Sequence, residues 1–191
     1  KFKKFEAYNY KSIKEVKDGL ILLRHDIDAS PKAALKMAEI EFELGIKSTY
    51  FLMIRSPLYN LFSRSTSKYI NELINSGHEI AIHYDANFKN KQKSCSEINN
   101  DLIKQCEIFE NEYQIKVSSV SFHQPSENIL SRKYISPVHL LNTYSQEINQ
   151  KFKYFSDTNQ SLRWIENNNN SIENSLSFFY PKNIQLLIHP L

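Results

Sequence analysis

Short apolar runs alternate with segments of helical period along most of the chain, and that order is what most constrains the fold. Leu20-Ile21-Leu22-Leu23 is a continuous apolar run of strand length, the pattern of a strand covered on both faces. Ser30 followed by Pro31 reads as an N-cap with proline at the first helical position, and Gly45 stands where a C-terminal cap belongs. Between them Leu35, Ala38 and Phe42 recur at spacings of three and four, which predicts a helix with these residues inward. Ser48–Ile54 predicts a second strand. Thr66–Ser76 predicts a second helix, with Tyr69, Ile70, Leu73 and Ile74 inward and Gly77 closing it, and His78–His83 a third strand. Ser94-Cys95-Ser96-Glu97 is a capping box, opening a long helix with the stripe Ile98, Leu102, Cys106, Phe109 and Tyr113. Val117–Phe122 and Ile184–Ile188 are the last strands expected. The segment 128–175 gives no clear pattern, and Asn167-Asn168-Asn169-Asn170 reads as an exposed loop. Strand–helix–strand alternation argues for an α/β fold with a parallel sheet, either open or closed into a barrel. Both architectures build their sites at the carboxyl ends of the strands.

Composition narrows the function classes. The 191 residues fit one domain spanning 1–191, and 41% hydrophobic residues is ordinary for a globular chain. Lys and Arg number 24 against 21 Asp and Glu, a balance too even to indicate nucleic acid. Only 3 glycines are present, and neither a GxGxxG nor a Walker loop occurs. Apolar runs fall short of the ~20 residues that cross a bilayer, and the mean hydropathy is −0.50. Lys1–Glu6 is basic with no apolar stretch behind it, so no signal peptide is visible. Cys95 and Cys106 lie about 16 Å apart along one helical pattern, beyond disulfide reach. Reduced thiols and a cytoplasmic setting are the expectation.

The carboxyl ends of the expected strands carry a coherent set of residues. The first ends in Arg24-His25-Asp26-Ile27-Asp28, the third in His83-Tyr84-Asp85, the fourth in Phe122-His123-Gln124-Pro125-Ser126 and the last in His189-Pro190. Side chains two apart in extended chain share a face, so Asp26 and Asp28 point together. Two carboxylates that close repel unless a cation stands beside them; capping of the next helix is the alternative use of either one. His83 and Asp85 repeat the spacing, and imidazole with carboxylate is a donor set of catalytic zinc. Hydrolysis at such an ion needs a base, an acid and an oxyanion donor. Asp26 suits the first role, His189 the second and the backbone N–H of Ser126 the third. His78 and His139 read as structural, and His25 as packing or support behind the site.

With these residues placed, the chain resembles the NodB-type polysaccharide deacetylases, the carbohydrate esterase family 4 superfamily. It is most similar to the branch found in surface-polysaccharide gene clusters, whose first motif reads His-Asp-x-Asp. The matching pieces are Arg24–Asp28, Gly77–His83, Ser121–Ser126 and Leu186–Pro190, in the family's order. The resemblance implies a distorted (β/α)7 barrel and a metal-dependent deacetylase, acting on an N- or O-acetyl group of a sugar or glycan, with zinc as the expected divalent metal. It implies Asp26 as base, Asp28 and His83 as metal ligands and His189 as acid. Tyr154–Asp157 with Trp164 is similar to the fourth motif, whose residues line the pocket and tune the acid. Asp85, Ser126, Asp157 and Trp164 are the expected substrate-binding residues, although a lone Trp is also a common core residue.

Two departures from the family pattern stand out. The second ligand histidine of the H-x-x-x-H motif is matched by Asn87, and the third-motif arginine that normally orients the base is matched by His123. The third ligand is therefore expected from His123, which preserves a two-histidine, one-carboxylate set, or from Asp85. If neither substitutes, the chain is a glycan-binding relic of an enzyme. An Asp-x-Asp phosphatase with Asp26 as nucleophile is a further alternative, but it leaves His83, His123 and His189 without roles.

Overall fold

The computed structural model describes residues 6–13, 19–88, 93–137, 139–157 and 183–191. Trp164 and the Asn167–Asn170 loop expected from sequence lie outside them. The strands are β1 (Glu6–Tyr8), β2 (Leu20–Ile27), β3 (Thr49–Leu52), β4 (Glu79–Asp85), β5 (Ser119–His123), β6 (Leu141–Asn142), β7 (Phe152–Ser156) and β8 (Asn183–Leu187). The helices are α1 (Pro31–Glu43), α2 (Arg64–Asn75), α3 (Cys95–Tyr113), α4 (Glu127–Leu130) and α5 (Gln146–Lys151). All the strand pairings are parallel, and the path runs β6-β5-β4-β3-β2-β8-β7. β1 pairs with Leu20–Leu22 of β2, whereas β3 pairs with Arg24–Ile27. The two halves of one long strand thus serve different neighbours.

The sheet curls strongly. β5 and β2 are three places apart along it, which in a flat sheet would separate them by about 14 Å at ~4.8 Å per strand. Yet Ser121 on β5 donates to Asp26 on β2 at 3.2 Å, and Arg24 on β2 donates to Thr143, just past β6, at 3.0 Å. Parallel strands curled this way with helices outside form the distorted (β/α)7 arrangement.

Strict alternation sorts the side chains. Tyr50, Leu52, Ile80, Ile82, Val120 and Phe122 join one apolar cluster with Leu35, Ile70, Leu73, Leu102 and Phe109 of the helices. Each large side chain buried there contributes about 1.5–3 kcal/mol. Leu22, Phe51 and Ala81 point the other way, forming a smaller inner cluster with Tyr10, Ile148 and Phe152. Below it Glu79 closes the amino end of the barrel, accepting hydrogen bonds from the Lys11 N–H and the Thr49, Ser118 and Ser119 hydroxyls at 2.7–2.8 Å. Above it stand Arg24, Asp26, His83 and Ser121.

The capping signals act as the sequence implies. Ser30 caps α1, Ser63 caps α2, and Ser94 with Glu97 forms the capping box of α3. Phe42 is a correction: it is 60% exposed, and Glu41 holds the inward place instead. Glu41 accepts hydrogen bonds from His25 Nε2 at 2.7 Å, Ser48 Oγ at 2.6 Å and Tyr50 Oη at 2.7 Å. Those buried donors need an acceptor more than the core needs another ring.

Candidate active site

The carboxyl ends of the strands converge as expected for this architecture. β2 ends with Asp26 buried and carries Asp28 just beyond it, β4 supplies His83, β5 ends at His123, and His189 comes after β8. His83 Nε2 and His123 Nδ1 each lie 3.1 Å from the same oxygen, Oδ1 of Asp28. His189 Nε2 approaches the other oxygen at 3.9 Å. The imidazole planes of His83 and His123 are nearly perpendicular, with centroids 5.3 Å apart. One donor atom from each of Asp28, His83 and His123 falls within a 4.8 Å group. Two nitrogens and one carboxylate oxygen gathered this closely match the donor chemistry of an open zinc site.

Asp85 stands outside that group. Its Oδ1 accepts from the Asn87 N–H at 2.8 Å, closing the turn after β4. Asn87 turns its amide to the Gln124 carbonyl at 3.2 Å. Gln124 has a φ of 44°, a left-handed conformation uncommon outside glycine and typical of functional loops. It lies between His123 and Pro125, ahead of Ser126, which opens α4. The position expected of a ligand in the H-x-x-x-H pattern therefore braces the β5–α4 turn.

Asp26 is gripped by two donors that are themselves buried. Arg24, two residues earlier on the same face of β2, donates from Nε to Oδ1 at 2.8 Å and from Nη2 to Oδ2 at 2.6 Å. Ser121 adds a third bond to Oδ1. Burial would raise the Asp26 carboxyl, but the guanidinium, then His83, outweigh it and hold the group below the usual carboxylate range. Asp28 obeys the same logic: burial pushes it up, and the imidazoles of His123 and His83 beside it pull it well below the ordinary value. The Asp28 hydrogen bond in turn raises His123 against the opposing effect of burial.

His189 is oriented from behind. Its Nδ1 lies 2.6 Å from Asp157 Oδ1, and its backbone N–H donates to Asp157 Oδ2 at 2.7 Å. Asp157 comes directly after β7, so two neighbouring strands fix one imidazole whose Nε2 faces the cluster. His25 points outward, with Nδ1 3.0 Å from the Ile188 carbonyl and Nε2 on Glu41. That is the supporting place expected for it, directly behind His189. His78 is buried against Ser48 and the Ala38 carbonyl, and His139 is exposed.

Arg24 and Ser121 are the residues that sequence reasoning missed. The signal for Arg24 was present, since an arginine two positions before an aspartate in an apolar strand must share its face. Ser121 becomes visible only with the register, which sets it beside His83.

The architecture defines a class. It is the fold of the carbohydrate esterase family 4 polysaccharide deacetylases, NodB-like in form. The chain is similar to the Xyl-CE4 domain of a multidomain xylanase from the hindgut metagenome of Trinervitermes trinervoides. That match has a TM-score of 0.57 and 16% identity, and covers 92% of this chain and 75% of that one. The peptidoglycan deacetylase PdaC from Bacillus subtilis matches with a TM-score of 0.56 and 12% identity, over 92% and 76%. A family 4 pseudoenzyme from Bacillus anthracis shares the fold too, with a TM-score of 0.51 and 14% identity, over 92% and 56%. No family sequence model matches the chain, and no curated protein is similar in sequence.

Proposed function

We propose that this chain is a metal-dependent hydrolase that removes an acetyl group, N- or O-linked, from a sugar or glycan. The observation that carries the reading is the convergence of Asp28, His83 and His123 between an oriented carboxylate, Asp26, and an oriented imidazole, His189. Asp28, His83 and His123 would hold the ion, for which zinc is the best match to the donors. A bound divalent cation supplies Lewis acidity, polarising the acetyl carbonyl and acidifying water.

The remaining steps belong to the chain. Asp26 takes the proton from the attacking water; Oδ1 already accepts from both Arg24 and Ser121, whereas Oδ2 accepts only from Arg24 and so keeps the freer lone pair. His189 donates the proton that the departing amine or hydroxyl needs, and Asp157 at Nδ1 holds the ring so that Nε2 faces the bond. The Ser126 N–H, at the entrance to α4, faces the developing oxyanion in this reading. Asp85, at the end of β4, and Asp157, just after β7, are the carboxylates assigned to sugar binding in this reading, and Trp164, expected to stack on the sugar, lies outside the described residues. Free thiols at Cys95 and Cys106 fit a cytoplasmic step in surface-polysaccharide synthesis. Among the described residues no helix is long and apolar enough to cross a membrane.

A second reading, a glycan-binding domain without turnover, draws on the diversion of Asn87 to the Gln124 carbonyl. The phosphatase alternative fares worse: an Asp26 carboxylate 2% exposed and clasped by arginine is a poor nucleophile. Metal analysis of the purified protein should give about one zinc per chain. Acetate release from acetylated amino sugars or aryl acetates should disappear in Asp26→Asn. Glycan binding that survives a chelator, with no acetate released, would replace the enzyme reading with the binding one.

A further inference from the structure

The hydroxyl of Ser121 stands between the Asp26 carboxylate and the metal-binding histidine, and its proton inventory fixes how the three connect. It lies 3.2 Å from Asp26 Oδ1 and 2.6 Å from His83 Nδ1. All three residues are buried: Ser121 is 0% exposed, Asp26 2% and His83 3%. Bulk water is therefore a poor substitute for any of these bonds.

A hydroxyl has one proton to give and lone pairs to receive with. Asp26, ionised against Arg24, offers only acceptors, so the Ser121 proton goes to Asp26. The Ser121 oxygen must then accept, and the proton it accepts sits on His83 Nδ1. A neutral histidine with its proton on Nδ1 keeps the Nε2 lone pair for another partner. In this protein Nε2 is the atom beside Asp28, at 3.1 Å. Two electron-rich atoms at that distance repel unless a cation or a proton lies between them.

We infer that Ser121 is a positioning residue: its hydroxyl links Asp26 to His83, holds the proton on Nδ1 and so presents Nε2 as the metal-binding atom. The pairing of His83 with Ser121 in the β4–β5 register puts the two side chains on one face, and the curl of the sheet brings Asp26 to the same hydroxyl. Outer partners of this kind typically change metal affinity 10–100-fold. The inference rests on the proposed metal site, yet its core, the position of one proton, is measurable without metal.

The test has two arms. Nitrogen-15 imidazole spectra of the metal-free wild-type protein should show His83 protonated at Nδ1. A neutral ring protonated only at Nε2 would overturn the inference. Zinc titration against a chromogenic chelator should show Ser121→Ala weaker than wild type by about tenfold or more. Ser121→Thr, which keeps the hydroxyl, should recover most of that loss. Equal affinities for wild type and Ser121→Ala would overturn the inference as well. A wild-type protein that takes up no zinc would instead overturn the metal reading, and the spectra would still decide the proton's place.

Discussion

Replacing Arg24 with methionine should strip Asp26 of its counter-charge while roughly keeping the volume. The guanidinium side chain is 0% exposed and its partner carboxylate 3%. The substitution removes the two-pronged bond to Asp26 and the donors to Thr143 and Tyr144 at 3.0 and 3.2 Å. It also removes the cation from its position 4.9 Å above the Tyr144 ring. Breaking a buried pair from one side costs about 3–5 kcal/mol, because the other charge stays buried without compensation. The aromatic contact adds about 0.5–2 kcal/mol. A loss of about 4 kcal/mol is a large share of the roughly 5–15 kcal/mol that holds a domain. Urea denaturation monitored by circular dichroism should read it directly. Adding Asp26→Asn to Arg24→Met should recover much of the loss, since the stranded charge is then gone. The pH dependence has a definite sign. In the wild type the depressed Asp26 contributes stability above its unfolded value of about 3.9, lost as pH falls. In the variant burial is opposed only by the weaker pull of His83 and His189, so the group rises relative to the wild type and its penalty is relieved in acid. The gap between the two proteins should therefore narrow from pH 7 towards pH 4. A variant within about 1 kcal/mol of wild type at pH 7 would refute the assignment of Arg24 as the main counter-ion.

Three further outcomes are expected. Glu41→Ala should cost about 3 kcal/mol or more by denaturant titration, because His25, Ser48 and Tyr50 lose a shared buried acceptor; a cost below about 1 kcal/mol would count against the network. Asp26, Asp28, Glu41 and Asp101 are all held below their ordinary values. Their contribution is complete above the unfolded values near pH 4 and lost as pH falls through the folded ones. Stability measured below pH 5 should thus drop by up to about 1.4 kcal/mol per pH unit for each group, with Asp28 and Asp101, whose side chains are the more exposed, weighing less. Ser94→Ala should cost about 1 kcal/mol, the usual value of an N-cap, and a neutral result in thermal denaturation would mean that α3 is held by its apolar stripe alone.

The layout of β2 to β5 was legible because apolar runs, proline and glycine caps and serine N-caps agreed. The site was legible because parallel strands deliver their last residues to one rim, so Asp28, His83, His123 and His189 could be grouped before any distance was known. β1, β6 and β7 escaped detection: β1 and β6 are only 3 and 2 residues long, too short for a period to register. β7, FKYFS, alternates irregularly, with exposed residues at its centre. Phe42 was misplaced because helical spacing cannot separate adjacent positions at the edge of a face, and the demand of three hydroxyl and imidazole donors chose Glu41. Ser121 needed the strand register, which no local pattern encodes.

The pairing of Arg24 with Asp26 joins neighbours on a single strand, two peptide units apart. Such a clasp is assembled by the extended backbone itself, whatever length or shape the crossover between β4 and β5 takes. The two-pronged part of the grip on the Asp26 carboxylate is thereby a local property of β2, with Ser121 on β5 adding a single bond. The station at the end of β5, relieved of that duty, is at liberty to carry an imidazole.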